Sequence, residues 1–231
     1  MQQNDPDELL EVFDAAGRPT GRARARAAIH IDGDWHRAFH CWVVRGVDEI
    51  VMQRRALTKD TFPGLWDASA AGHWRFGETA EQAAREIAEE LGLEVPFSAL
   101  RFCGRERLAR RFPERGLMDR EHHQVYVLRR EGPLVEYRPE PREVIGLAAF
   151  HAGDLIDLFR GRRGRVEATE SVELGTSGAF EPAQVLAERD EFVPYSAARI
   201  QRLLGCAQAV DRINAPWPKV TRTRRRPSAR D

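Results

Sequence analysis

Apolar and polar residues alternate along several stretches of the chain, and the period changes at recognisable breaks. Residues 9–13 (LLEVF) predict a short strand. Asp14 to Gly21 is turn chemistry, and a second extended piece is expected to run on through Ala27, Ala28, Ile29 and His30. Residues 35–45 (WHRAFHCWVVR) are aromatic and β-branched. Phe39, Cys41 and Val43 alternate there with His40, Trp42 and Val44, which predicts a strand covered on both faces, and residues 50–55 are its expected hairpin partner. Residues 61–67 (TFPGLWD) predict loop, because Pro63 and Gly64 break any periodicity. The period then becomes helical over residues 80–91. Thr79 is a good N-cap, Gln82 completes a capping box, Gly92 ends the helix, and Ala84, Ile87 and Leu91 form an apolar stripe. Residues 123–129 and 141–150 read as strands, and 153–159 as a helix with Asp154 near its start. Residues 160–179 are polar and Gly-rich, with a hairpin insertion as one reading; 182–188 and 195–213 are expected to be helical. There is no internal repeat. Strands mixed with a few helices, without a regular βαβα alternation, indicate an α+β fold.

The 231 residues suffice for one packed domain with additions. A hydrophobic share of 42% excludes wholesale disorder. Lys plus Arg and Asp plus Glu are both 36, so overall charge points to neither nucleic acid nor an anionic membrane. Residues 1–7 read as a disordered lead-in and 8–214 as the domain with a C-terminal helical extension. Residues 215–231 read as a basic disordered tail, with Lys219, Arg222, Arg224, Arg225, Arg226 and Arg230. No apolar run approaches the ~20 residues of a membrane helix. The acidic start lacks the basic and apolar parts of a signal peptide. Cys41, Cys103 and Cys206 are widely spaced and make neither a zinc pattern nor a disulfide framework, which predicts a reducing, cytoplasmic setting.

The chemistry concentrates in residues 72–93, GHWRFGETAEQAAREIAEELGL. On a helix Glu86, Glu89 and Glu90 stand at i, i+3 and i+4, on a side away from Ile87 and Leu91. Like charges at this spacing repel, and the helix C-terminus disfavours anions. A hard cation such as Mg²⁺ reverses both penalties and leaves room for water and phosphate. A solvated acidic face with Glu81–Arg85 and Arg85–Glu89 pairs is the alternative.

Gly72, Glu78, Arg85, Glu86, Ile87, Glu89, Glu90, Gly92 and Leu93 together resemble the Nudix box, G-x5-E-x7-R-E-U-x-E-E-x-G-U with U aliphatic. One departure is clear: six residues, not seven, separate Glu78 from Arg85. The resemblance implies a Nudix fold, a mixed sheet sandwiched between helices in a single domain. It implies a structural Glu78–Arg85 salt bridge beside Gly72, and metal ligation by Glu86 and Glu90 with Glu89 assisting. The carbonyl of Ala71 is a further candidate ligand. The implied cofactor is Mg²⁺, with Mn²⁺ as a substitute.

Outside the box, Phe13-Asp14, Gly17, Gly21, His36, Phe39, Arg54-Arg55, Lys59, Phe62-Pro63-Gly64, Trp66 and Ala71-Gly72-His73 resemble isopentenyl-diphosphate isomerase, itself a Nudix-fold protein. That enzyme needs a cysteine before Gly-His, histidine metal ligands and two glutamates on a later strand. Here the cysteine position is Ala71, and the glutamate positions read as His122 and Gln124. The isomerase proton-transfer groups are therefore largely absent, whereas the hydrolase carboxylates are present. The resemblance then implies water attack on a phosphoanhydride of a nucleoside diphosphate derivative or similar small diphosphate, with Glu89, Glu90 or Glu121 as base. Arg55, Lys59 and His73 are the expected substrate contacts. With the strand glutamates missing, a structural or substrate-contacting role for His30, His36, His40 and His73 is favoured over a second metal site. Trp35, Trp66, Trp74 and Phe76 stack on a base or fill the core. The rival functions are the isomerase itself and a non-catalytic binding module using the basic tail for nucleic acid. The expected partner is a small diphosphate, with no membrane, on a monomer or homodimer.

Overall fold

A computed structural model describes residues 7–211, so the expected tail and nearly all of the lead-in lie outside the described residues. Strands β1 (Leu9–Phe13) and β2 (Pro19–Ala25) form a hairpin. Its turn is closed by Asp14, whose Oδ1 accepts the amides of Ala16 and Arg18 at 2.9 Å each. The extended piece then stops short of the expectation. Residues 26–30 belong to helix α1 (Arg26–Asp32), closed by Gly33 at φ 69°, whose amide donates to the Ile29 carbonyl. Arg-Ala-Ala is good helix-forming sequence, and the left-handed glycine supplies the stop. The helix turns Ile29 and His30 inward.

Strand β3 (Trp35–Arg45) pairs with β4 (Glu49–Arg55) as the pattern predicts. The expected loop contains a two-residue strand, β5 (Trp66–Asp67), on β4, and β6 (Ala70–His73) lies against β3. The acidic helix is in two pieces, α2 (Ala80–Ala83) and α3 (Arg85–Leu91), with the Thr79–Gln82 capping box formed and Gly92 left-handed at the end. Ala83, not Ala84, joins Ile87 and Leu91 in the buried stripe.

Strands β7 (Leu100–Phe112) and β8 (Leu117–Arg129) make a long hairpin. Strand β8 runs parallel to β3, from Trp35 opposite Arg120 to Val44 opposite Arg129. Then come β9 (Val144–His151), α4 (Ala152–Phe159), β10 (Arg165–Glu167), β11 (Glu170–Leu174), β12 (Phe180–Pro182), β13 (Leu186–Glu188) and α5 (Ala197–Asp211). Residues 182–188 are thus extended, not helical: β13 pairs with β10 and buries Ala187. Among the described residues eleven strands form one mixed, mostly antiparallel sheet. Trp42, Val44, Val125 and Phe150 face α4 and α5; Cys41, Val43, Leu128 and Leu147 face α2 and α3. The two-sided burial predicted for β3 is this arrangement.

One cysteine expectation is overturned. Cys103 on β7 and Cys206 on α5 form a disulfide, Cα–Cα 5.9 Å, while Cys41 is buried and free. The two are 103 residues apart and meet only because α5 packs on β7, where Arg199 and Arg202 also pair with Glu106. No helix among the described residues is long and apolar enough to cross a membrane.

Candidate active site

The three carboxylates of α3 have different surroundings. Glu86 and Glu90 are fully buried against β6, and Glu89 is half-buried. They do not share the solvated face the helical wheel suggested. Gly72 makes the inward turn of Glu86 feasible: a Cβ there would lie 2.2 Å from the Glu86 carboxyl carbon. Glu90 Oε2 accepts hydrogen bonds from the Ala71 amide and from Gln53 Nε2, both at 2.8 Å. Lys59 Nζ is 3.7 Å from Glu90 Oε1 and pairs tightly with Glu143. Arg85 donates to Glu78 at 2.9 Å, to Glu89 at 2.8 Å and to the His73 carbonyl at 3.2 Å, and also pairs with Glu86. The Glu78–Arg85 pair therefore forms despite the shortened spacing. Burial pushes Glu86 well above the usual carboxylate range; Arg85 opposes this, and Glu90 and Glu89 add to it. Burial also raises Glu90, against Lys59 and its hydrogen bonds. Glu86 Oε2 and Glu90 Oε1 have no hydrogen-bond partner, so two orphaned acceptors sit in a buried acidic cluster. Unpartnered carboxylate oxygens suit a hard divalent ion, but the convergent groups of three or more candidate donors among the described residues are built on the histidines rather than on these helix carboxylates.

A second group of donors converges on the far side of β6. The rings of His30, His36 and His73 lie 4.9, 4.9 and 5.0 Å apart, centroid to centroid. Glu121 Oε1 is 3.3 Å from His73 Nε2 and 3.8 Å from His36 Nε2. Asp119 Oδ1 is 3.7 Å from His36 Nε2 and 3.8 Å from His30 Nε2. His36 Nε2 and Asp119 Oδ1 are buried without hydrogen-bond partners. Burial lowers the pKa of His30 and His36, and that of His73 further, favouring the neutral imidazoles a metal takes. Burial and the Glu121 charge push Asp119 up to about 7. Burial opposes the charge on Glu121, but His123 and His73 outweigh it and hold the carboxyl well below its usual range.

This grouping corrects the placement of the later-strand carboxylates. Positions 122 and 124 face away: His122 Nε2 contacts the Asp14 carbonyl at 2.9 Å, and Gln124 accepts from Tyr126. The inward positions of β8 are 119, 121 and 123, so Asp119 and Glu121 supply two acids. The period-2 run Asp119-x-Glu121-x-His123 was the available signal. His40 does not join the other histidines. It stacks on His123 at 3.9 Å, and His123 donates to Glu121 Oε2 at 2.6 Å and accepts from Arg199 at 3.3 Å.

A cavity of about 360 Å³ opens beside these histidines. Arg55, Lys59, His73, Ala71, Gly72 and Glu121 all border it, as does Tyr195. Arg55 Nη1 donates to Asp67 at 2.7 Å, and Asp67 also accepts the Tyr195 hydroxyl. Trp66 and Trp74 are core residues, Phe76 is exposed, and Trp35 lies against His122; none of them borders the cavity. Its aromatic residues are Phe62, from the Phe62-Pro63-Gly64 motif, and Tyr195, which the sequence pattern did not single out.

Residues 34–172 match the family model of the NUDIX domain. The chain belongs to the Nudix family. An uncharacterized Nudix hydrolase of Clostridium acetobutylicum is 31% identical over 192 residues, covering 82% of this chain and 91% of that one. An isopentenyl-diphosphate Δ-isomerase of Cutibacterium acnes is 35% identical over 158 residues, 67% of this chain and 79% of that one. A Deinococcus radiodurans crystal structure superposes with TM-score 0.48 at 24% identity, covering 67% of this chain and 90% of that one. The architecture is the expected single-domain α+β Nudix fold, in its isomerase-like branch. Nudix membership supports hydrolysis as the general activity and a divalent metal as the general requirement. The acidic helix lies within the matched Nudix domain, and so does nearly all of the histidine–carboxylate cluster, which supplies candidate metal donors.

Proposed function

We propose that this Nudix protein is a Mg²⁺-dependent pyrophosphohydrolase. Its substrate would be a nucleoside diphosphate derivative or similar small diphosphate, cleaved by water attack on phosphorus. The observation that carries this reading is the chemistry beside Gly72-His73. No thiol borders the cavity among the described residues: Ala71 stands before Gly72, Cys41 is buried in the core, and Cys103 and Cys206 are bonded to each other. Every carboxylate of the box is in place.

Glu86 and Glu90 would hold the ion at their free oxygens, with Glu89 and the backbone of Ala71 at the edge. His30, His36, His73, Asp119 and Glu121 would hold another. A divalent ion bound there supplies Lewis-acid polarisation of the phosphoryl group and an acidified water. Arg55 and Lys59 bring positive charge to the cavity wall, where it offsets the charge of an entering diphosphate. Asp67 and Tyr195 fix the direction of the Arg55 guanidinium. Glu121 is engaged by His73 and His123 and orients those rings, which leaves the water proton to a carboxylate of the box. The histidine–carboxylate set also suits the isomerase reading, so the test must separate the two.

That test is a mass-spectrometric product screen with Mg²⁺ or Mn²⁺ over nucleoside di- and triphosphates, nucleotide sugars, dinucleotides and isopentenyl diphosphate, with Glu90→Gln as control. Cleavage lost in the control is the expected result. Isomerisation of isopentenyl diphosphate without phosphate release, or silence across the panel, would overturn the proposal.

A further inference from the structure

The cations bordering the cavity are not equivalent. Arg26 pairs with Asp60 at 2.9 Å, Arg55 with Asp67 at 2.7 Å, and Lys59 with Glu143. Arg110 on β7 forms no ion pair among the described residues. Its guanidinium lies over the Phe62 ring, 4.9 Å from the centroid, and Nη2 is 3.5 Å from the Pro194 carbonyl. Its guanidinium is thus held by a ring and one long, solvent-exposed carbonyl contact, with the Asp119 charge acting on it only from beyond ion-pair distance, so its fork stays open to an anion. Its place on the ribbon is as informative. Arg110 is the register partner of Asp119, so the two project to the same, cavity-lining face. Arg111, the next residue, points to the exposed outer face.

Phe62 gives a second, independent observation. Among the described residues it is the one non-glycine with positive φ, 51°. A bulky side chain keeps that sparsely populated conformation only where its surroundings hold it, and such positions cluster at ligand clamps. Here the ring is held edge-on to Phe112 at 5.2 Å and lies beneath Arg110. Arg115, at the hairpin tip, donates to the Asp60 carbonyl at 2.6 Å. The loop carrying Phe62 and the tip of the β7–β8 hairpin thus clasp each other at the edge of the cavity.

We propose that Arg110, propped on the Phe62 ring, forms an anion subsite that takes the terminal phosphate of a diphosphate. The planar fork of arginine matches two non-bridging oxygens of one phosphate, and a terminal phosphate offers the most charge to it. The assignment rests on the diphosphate reading above for its ligand.

The test uses the full chain and inorganic pyrophosphate with Mg²⁺, followed by isothermal titration calorimetry. Arg110→Met is expected to weaken pyrophosphate binding roughly 10- to 100-fold, with a shallower salt dependence and an unchanged melting temperature. Arg110→Lys keeps the charge but not the fork and should fall between; it also serves if the Met variant does not fold. Phe62→Leu, which removes the prop, should cost about 2- to 5-fold. Arg111→Met should bind as wild type does. Wild-type affinity in Arg110→Met, an equal loss in Arg111→Met, or no pyrophosphate binding by the wild-type chain would each overturn the subsite. The two readings fail separately. Cleavage in the screen with undiminished binding by Arg110→Met leaves the hydrolase and removes the subsite. Arg110-dependent binding without any cleavage does the reverse.

Discussion

Replacing Glu86 or Glu90 by Gln is expected to reduce metal-dependent turnover by more than about 100-fold, because loss of an outer partner alone costs up to that much at metal sites. The same variants should leave the metal-free fold at least as stable as the wild type. Both carboxyls are buried and their pKa values are raised by that burial. A group whose pKa rises on folding binds more protons in the native state, so its contribution to stability falls as pH climbs above the unfolded carboxylate range. A neutral amide does not carry that penalty. The stability advantage of Gln should therefore grow from pH 5 to pH 8 and shrink when Mg²⁺ is added. Glu86→Gln should gain more than Glu90→Gln, because Glu90 has Gln53, the Ala71 amide and Lys59 as partners. Thermal melts with and without Mg²⁺, beside the product assay, read both effects. Turnover within tenfold of wild type would mean that these oxygens do not hold the ion.

Gly72→Ala should be a strongly damaging small substitution at the site. Its φ is not in the left-handed region; the constraint is space. The added Cβ would meet the Glu86 carboxyl carbon at 2.2 Å and its oxygens at 2.4 Å. Glu86 is fully buried, so its carboxyl has little room to withdraw, and β6 must separate from α3. Overpacking of this kind costs about 1–3 kcal/mol, occasionally more, and moves Ala71 and His73 at the cavity wall. The double variant Gly72→Ala/Glu86→Ala restores the space. It should recover most of the lost stability in a urea titration while staying inactive. A double variant as unstable as the sum of its singles would show that the contact is not the cause.

Legibility in the sequence followed the physics of each element. Strand β3 was plain because both of its faces are apolar, and the acidic helix because its cap, stop and stripe agree. Strand β7 leaves no mark in the hydrophobic pattern. Its thirteen residues alternate half-buried arginines and glutamate with exposed ones, so the period exists in burial but not in polarity. The start of helix α1 looks extended in the sequence because three residues of helix-forming sequence carry no strong period. Residues 182–188 look helical in composition, yet pairing with β10 decides them. At the site, the box glutamates and Gly72 were legible through their spacing. Glu121 stands out there only as a candidate base and Asp119 not at all, because a shift of one or two residues in strand register changes which side chains face inward. The Cys103–Cys206 pairing could not be read at all, since it depends on where α5 comes to rest.

That cross-link also changes what a break in the chain means. Residues 160–164 (RGRRG) are exposed and arginine-rich, and they fall inside the covalent ring closed between positions 103 and 206. A tryptic nick there opens the backbone without releasing either piece. The fragment with the box glutamates and β8 stays fastened to the fragment with Tyr195 and Arg199. On a non-reducing gel the nicked protein should run as one species, and only a thiol reductant should part it into two.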